Sequence, residues 1–257
     1  MTETITTPIA LQLYTIRDRL AQDFEGTIRE IADIGYIGVE TANMFGGSPT
    51  SAARLFSELS LTVCGAHSPL PLGDQKQEVI DTISALGCKR LILPGQPPDM
   101  YKSLDGIKRI CDELNEAAAV GKTNGFQVGY HNHWYEYELL EDRVPIDVML
   151  EHLDPEVFFE VDVYWVQTAG QDPAQVVRRL GSRAPLLQVK DGPCQIDAPM
   201  TALGDGVVNI PSVVSAGAGT TEWLVVELDR CATDMMEAVR KSYQYLIGKG
   251  LGRGNKN

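Results

Sequence analysis

The feature that most constrains this chain is a repeat of architecture. Apolar runs of strand length recur eight times along 257 residues, each leading through a polar or Gly/Pro loop into a stretch with helical periodicity. The runs are Ile9 to Tyr14, Tyr36 to Glu40, Leu61 to Ala66, Lys89 to Pro94, Phe126 to His131, Val157 to Asp162, Pro185 to Lys190 and Trp223 to Leu228. Between them apolar residues fall at helical spacing, as in Ile28/Ile31/Ile34, Leu55/Phe56/Leu59, Val79/Ile80/Ile83/Leu86 and Leu104/Ile107/Ile110/Leu114. Asp23 and Asp172-Pro173 read as helix starts, and Gly35 and Gly87 as stops. Strand and helix alternating without a linker predict an α/β chain folded as a single (β/α)8 TIM barrel over residues 1–257, with a last helix over Asp234 to Ile247 and a frayed Gly/Lys-rich tail. The active site of such a barrel lies at the C-terminal ends of its strands. The longer seventh crossover, with LGDG at Leu203 to Gly206, predicts a functional loop or lid.

The strand ends are where polar residues collect. The stretch Tyr130 to Glu138, YHNHWYEYE, holds two of the four histidines. Read with period 2, Gln127, Gly129, His131 and His133 share one face of the fifth strand. The same reading groups Phe158, Glu160 and Asp162 on the sixth, Leu186, Gln188 and Lys190 on the seventh, and Val225, Glu227 and Asp229 on the eighth. The opposite faces are apolar and suit packing under helices, so the polar faces point into the barrel. Branched apolar side chains normally fill that interior, and buried polar groups need partners. His131, Asp162, Gln188 and Glu227 together therefore predict a bound divalent cation. One imidazole, two carboxylates and a carboxamide suit Mn²⁺ first, with Mg²⁺, Co²⁺ or Zn²⁺ as alternatives. Blander readings stay open for each residue: a strand-end histidine bonded to backbone, Asp162 capping a loop, Glu227 paired with Arg230, Lys190 and Asp191 as a surface ion pair.

Charge narrows the partners. A formal net charge of −13 and a pI near 4.7 leave no basic patch for nucleic acid or an anionic membrane. The opening MTETITTP has neither the basic nor the apolar region of a leader, and no apolar stretch approaches the roughly 20 residues that span a bilayer. A cytoplasmic protein is expected. The five cysteines are scattered singly without a CxxC pair, which fits reduced thiols and supplies no nucleophile.

The segments LQLYTIRD (Leu11 to Asp18), GYIGVE (Gly35 to Glu40), YHNHWYEYE, DPEVFFEVDVYWV (Asp154 to Val166), LLQVKDG (Leu186 to Gly192), LGDG and VVELD (Val225 to Asp229) resemble the sugar phosphate isomerase/epimerase family. This is the xylose-isomerase-like TIM barrel group, related to endonuclease IV, and the resemblance runs over essentially the whole chain. It implies a metal held from strands five to eight, carried over by position to His131, Asp162, Gln188 and Glu227. Many members have glutamate where this chain has His131, and histidine where it has Gln188, as hydroxypyruvate isomerases have glutamine. The first departure turns the expectation away from a symmetric 3-epimerase.

The implied chemistry is proton abstraction next to the carbonyl of a keto sugar or related polyol, with isomerase or epimerase outcome. Glu227 is the expected base, His133 the acid or second base, and Lys190 the cation beside the oxyanion. Tyr14, Glu40, His67 and Trp165 are expected to grip a small sugar substrate. A lyase or dehydratase, as in family members that dehydrate inosose or cleave 3-keto-glycosides, is the alternative. A non-catalytic sugar-binding barrel is another, whereas acidity and few histidines argue against an endonuclease-like zinc cluster. No Gly-rich phosphate loop follows strands seven and eight, and homo-oligomerisation is left open.

Overall fold

The computed structural model describes residues 7–43 and 45–256. The opening stretch read above for a leader lies outside the described residues up to Thr6. Eight parallel strands close on themselves: β1 (Thr7–Gln12), β2 (Gly38–Thr41), β3 (Thr62–His67), β4 (Arg90–Leu93), β5 (Gln127–His131), β6 (Phe158–Asp162), β7 (Leu186–Val189) and β8 (Trp223–Val226), with β1 paired to both β8 and β2. Helices surround them, so the fold is a TIM barrel as the repeat predicts.

The local causes are visible. Asp23 accepts the N–H of Gly26 at the start of the helix Phe24–Ile34, which buries Ile28, Ile31 and Ile34 against the barrel. Asp172 accepts the N–H groups of Ala174 and Gln175 ahead of a first-turn proline in Pro173–Leu180. Leu104, expected to face inward, is 37% exposed. It opens the helix Leu104–Asn124 directly after the Ser103 cap, before that helix reaches the sheet; Ile107, Ile110 and Leu114 are buried.

Inside the barrel the lower layer is apolar. Ile92, Phe158 and Leu186 pack with Trp223, beside a second group of Ala10, Cys64 and Val225. Gly129 and Gly38 make room for the rings: a Cβ there would lie 2.3 Å from Phe158 and 2.4 Å from Trp223. One step toward the C-terminal ends the interior turns polar. Tertiary packing also adds two elements absent from the sequence expectation. A short helix, Val163–Thr168, follows β6 directly, and the tail is ordered as β9 (Gly252–Arg253), parallel to the start of β1. The tail is held by Tyr243, whose hydroxyl accepts the Lys256 N–H.

The seventh crossover is built around Asp191. Its carboxylate accepts N–H groups from Gly192 (2.8 Å), Gly204 (2.9 Å), Gly206 (3.2 Å) and Val208 (3.0 Å), which pins LGDG to the end of β7. Asp191 is 1% exposed, so the surface ion pair with Lys190 is not formed; the two side chains face different neighbours.

Candidate active site

The C-terminal mouth of the barrel opens into a cavity of about 900 Å³. Of the residues singled out from sequence, Tyr14, His67, His131, His133, Lys190 and Glu227 line it. Glu40, Asp162, Trp165 and Gln188 stand behind that wall, all nearly or fully buried.

Lys190 is the centre of the first group. Its ammonium lies 2.7 Å from Glu227 Oε2, 2.9 Å from Asp162 Oδ2 and 3.2 Å from Asp229, and it is 1% exposed. Trp165 places its ring 5.9 Å from the same nitrogen. Asp162 is aimed by the short helix it starts: Oδ1 accepts the N–H groups of Tyr164 and Trp165 at 3.0 Å, leaving Oδ2 for Lys190. The capping and the inward-facing readings of Asp162 thus both hold. Glu227 turns to Lys190, while Arg230 donates to the Ile196 carbonyl. Burial pushes Asp162 up to about 6 and Glu227 up to about 7, against the opposing pull of Lys190. For Lys190 burial acts downward, but the three carboxylates outweigh it and hold the ammonium charged.

A second group lies deeper. The Gln12 amide donates to Glu40 Oε1 at 2.7 Å, and His67 Nε2 sits 3.1 Å from that oxygen and 2.8 Å from Glu160 Oε2. A register shift between Val39 and Glu40 and a bare Gly65 make this possible, since a Cβ on Gly65 would lie 2.5 Å from Glu40 Oε2. His131 joins the groups: Nδ1 is 3.2 Å from Glu160 Oε2 and Nε2 is 3.8 Å from Asp162 Oδ2. Burial favours neutral His67, yet Glu40 and Glu160 prevail and raise it well above the ordinary range. Burial and the neighbouring His133, His67 and Lys190 keep His131 neutral, well below it. Sequence reading put Glu160 on the inner face without a role and passed over Gln12; polar residues inside a barrel strand were the signal.

His133 is set by a third network. Its N–H donates to Glu136 Oε2 at 2.9 Å, its ring stacks on Tyr135 with planes 12° apart, and Gly95 backs it so closely that a Cβ would lie 2.9 Å from the imidazole. Burial pushes His133 down to about 3, so it is neutral near pH 7. Glu136 is fully buried, bonded to the Tyr130 hydroxyl, which in turn meets Tyr101, and burial raises it to about 8. No periodicity marks Glu136, because it falls in a short 3-10 turn after β5.

The interior can accept a cation. Among the described residues, Glu40, Glu160, Asp162, Glu227 and Asp229 are paired with just Lys190 and His67 as positive groups. Both amide atoms of Gln188 lack a hydrogen-bond partner at 0% exposure, as do Glu40 Oε2 and Glu160 Oε1. In register Gln188 lies beside Asp162 and His131 beside Glu160. Of the set expected from sequence, His131 Nε2 lies 3.8 Å from Asp162 Oδ2 and Gln188 is beside Asp162 in register, but Asp162 and Glu227 are joined through the Lys190 ammonium. Among the described residues the donors whose atoms lie within 4.8 Å of one another are those of His67, His131 and Glu160, a deeper candidate metal set.

No curated protein matches the chain by sequence. Among solved structures, a sugar phosphate isomerase/epimerase from Parabacteroides distasonis is 26% identical with a TM-score of 0.79, covering 94% of this chain and 98% of that one. A second one from the same organism is 24% identical with a TM-score of 0.78, covering 96% and 95%. A probable 3-DHS dehydratase from Bacillus anthracis shares the fold at 11% identity and a TM-score of 0.76, covering 93% and 98%. The family model described as xylose isomerase-like TIM barrel matches residues 28–247, from the first barrel helix to the last. With that span and the closed parallel barrel, the chain belongs to the xylose isomerase-like TIM barrel family.

Proposed function

We propose that this protein is a divalent-metal-dependent enzyme of the sugar isomerase/epimerase type. It removes a proton from the carbon next to the carbonyl of a keto sugar or related polyol. The observation that carries this reading is Glu227: a carboxylate lining the cavity, 2.7 Å from a buried ammonium and within reach of a bound substrate.

His131, Asp162, Gln188 and Glu227 would hold the metal, with Mn²⁺ the first choice, and the ion would act as a Lewis acid toward the carbonyl and a neighbouring hydroxyl oxygen. Glu227 takes the proton. Lys190 keeps the carboxylates ionised and lends positive charge to the side where the enediolate's negative charge grows. His133, neutral and facing the cavity, receives or returns a proton; His67 and Tyr14 line the walls where hydroxyls are held. The substrate is a small sugar, nucleic acid is not a partner, and the acidic chain with its free thiols works in the cytoplasm; none of the helices among the described residues is long and apolar enough to cross a membrane.

The cavity is asymmetric: the end of the fifth strand brings the neutral imidazoles of His131 and His133, and the end of the eighth brings the carboxylates of Glu227 and Asp229. That asymmetry supports a second reading, a lyase or dehydratase, in which a single base suffices and a β-leaving group departs. Incubation with keto sugars in D₂O, followed by NMR at the carbon next to the carbonyl, tests both. Exchange without net loss of a substituent supports isomerisation, and release of the leaving group supports elimination. Glu227→Gln should fold and abolish either; near wild-type exchange in that variant would sink the assignment of the base.

A further inference from the structure

His133 lines the cavity, yet its Nδ1 is buried without a hydrogen-bond partner among the described residues. A histidine that moves protons is ordinarily aimed through its second ring nitrogen, by a carbonyl or a carboxylate. Here the ring is held by packing instead: Tyr135 stacks on it at 5.2 Å, and Gly95 leaves room for its edge, since a Cβ there would lie 2.9 Å from Cε1. The hydrogen bond that His133 does donate comes from its backbone N–H and runs to Glu136 Oε2 at 2.9 Å.

Glu136 is an uncommon place for a carboxyl group. It is 0% exposed and stands outside the cavity lining. Tyr130, from the face of β5 opposite His131 and His133, donates to Oε1, and the Tyr130 hydroxyl meets that of Tyr101 in the 3-10 turn Pro98–Lys102. Tyr101 completes a ring of contacts: its side chain lies 4.9 Å from Tyr135, and the Tyr135 hydroxyl donates to the Gln96 carbonyl at 3.3 Å. The loops after β4 and β5 are thereby tied to one carboxyl group from behind the barrel wall. A side chain reaching back to an N–H at the start of a helical turn is a common capping contact. The residue reached here stands at the cavity, and burying a carboxyl group to hold it is costly.

We infer that Glu136 is a positioning residue: through the His133 N–H it fixes where the imidazole stands at the cavity, and so governs the second proton transfer while leaving the first, at Glu227, untouched. This deepens the proposed function and rests on it for the roles of Glu227 and His133. Product needs both transfers, whether the second returns a proton to carbon or delivers one to a departing group. Exchange of the carbon-bound hydrogen with solvent needs only removal and return at Glu227.

Three variants separate the parts. Glu136→Met removes the acceptor and keeps the length, Glu136→Gln keeps an acceptor for the N–H, and Tyr130→Phe cuts the link to Tyr101 while leaving the Glu136–His133 bond. Circular dichroism checks the folding of each; Glu136→Asp, which draws the carboxyl group back by one carbon, should behave as Glu136→Met does and replaces it if that variant does not fold. In protein labelled with ¹³C,¹⁵N-histidine, the His133 signals are identified by their loss in His133→Asn. In Glu136→Met the His133 amide should exchange at least about tenfold faster with solvent, and its ring Cε1–H should lose the ring-current shift that Tyr135 imposes, whereas Glu136→Gln and Tyr130→Phe keep both. With D-fructose and methyl 3-keto-glucopyranoside in D₂O, the ratio of product formed to deuterium exchanged should fall at least about tenfold in Glu136→Met, return to within about threefold in Glu136→Gln and hold in Tyr130→Phe. Adding Glu136→Met to His133→Asn should lower that ratio no further. Wild-type His133 amide and ring signals in Glu136→Met would overturn the inference, as would an equal loss of product in the His133→Asn background. Absence of exchange on either sugar by the wild type removes the enzymatic reading alone, because the histidine signals still decide whether Glu136 fixes the imidazole.

Discussion

Replacing Lys190 by methionine keeps the length and much of the volume of the side chain and removes the cation from the centre of the site. Three carboxylate contacts at 2.7, 2.9 and 3.2 Å are lost at once. At an effective dielectric of about 20, each is worth about 5–6 kcal/mol of attraction, most of it offset by the desolvation of the ions. Asp229 is 30% exposed and water covers part of its loss, so Asp162 and Glu227 carry the penalty. Removing one partner of a buried pair costs about 3–5 kcal/mol, which for a chain of this size lowers Tm by about 6–20 °C. The penalty should depend on pH with a defined sign. Asp162 and Glu227 titrate at about 6 and about 7, so below pH 5 both are protonated and the missing ammonium matters less; at pH 8 both are ionised and it matters most. Thermal unfolding followed by circular dichroism at pH 5 and pH 8 reads this directly, and added Mn²⁺ at pH 8 should raise Tm more in the variant than in the wild type. A variant that melts within about 2 °C of wild type at pH 8 would refute the view that Lys190 neutralises this site.

Two further outcomes follow from the same interior. Glu136 is raised by burial to about 8, so between pH 4.5 and 8 the folded protein holds a proton that the unfolded chain has released; its contribution is full below 4.5 and is lost as pH rises through 8. Glu136→Gln should erase that slope, worth about 3–5 kcal/mol, in urea unfolding compared at pH 5 and pH 8, and a variant with the wild-type slope would show that another group carries it. Gln188→His replaces a carboxamide with an imidazole beside Asp162 and should tighten divalent-metal binding in competition with a chelator. Unchanged or weaker affinity would remove Gln188 from the ligand set.

Much of the architecture was legible because it is written locally. Eight apolar runs, the aspartates and prolines at helix starts and the glycines at stops act within a few residues of one another, so their meaning survives without the fold. The inward faces of the last four strands were legible for the same reason: period 2 is a property of a strand wherever it sits, and it already separated Glu160, Asp162, Gln188, Lys190 and Glu227 from the apolar residues between them.

What tertiary structure alone decided is who meets whom. Closing β8 onto β1 and β1 onto β2 brings Gln12 and Glu40 together across 28 residues, and barrel closure carries His67 to Glu160 across 93. The register shift at Val39/Glu40 and the bare Gly65 determine that Glu40 lies behind the cavity wall instead of lining it. Lys190 and Asp191 are adjacent in sequence and part at the end of β7: one reaches inward to three carboxylates, the other gathers the amides of a loop more than ten residues away. Charge composition cannot foresee such a division. A buried ammonium among carboxylates is stable only when several strands deliver its partners within about 3 Å, and that geometry exists only once the barrel has closed.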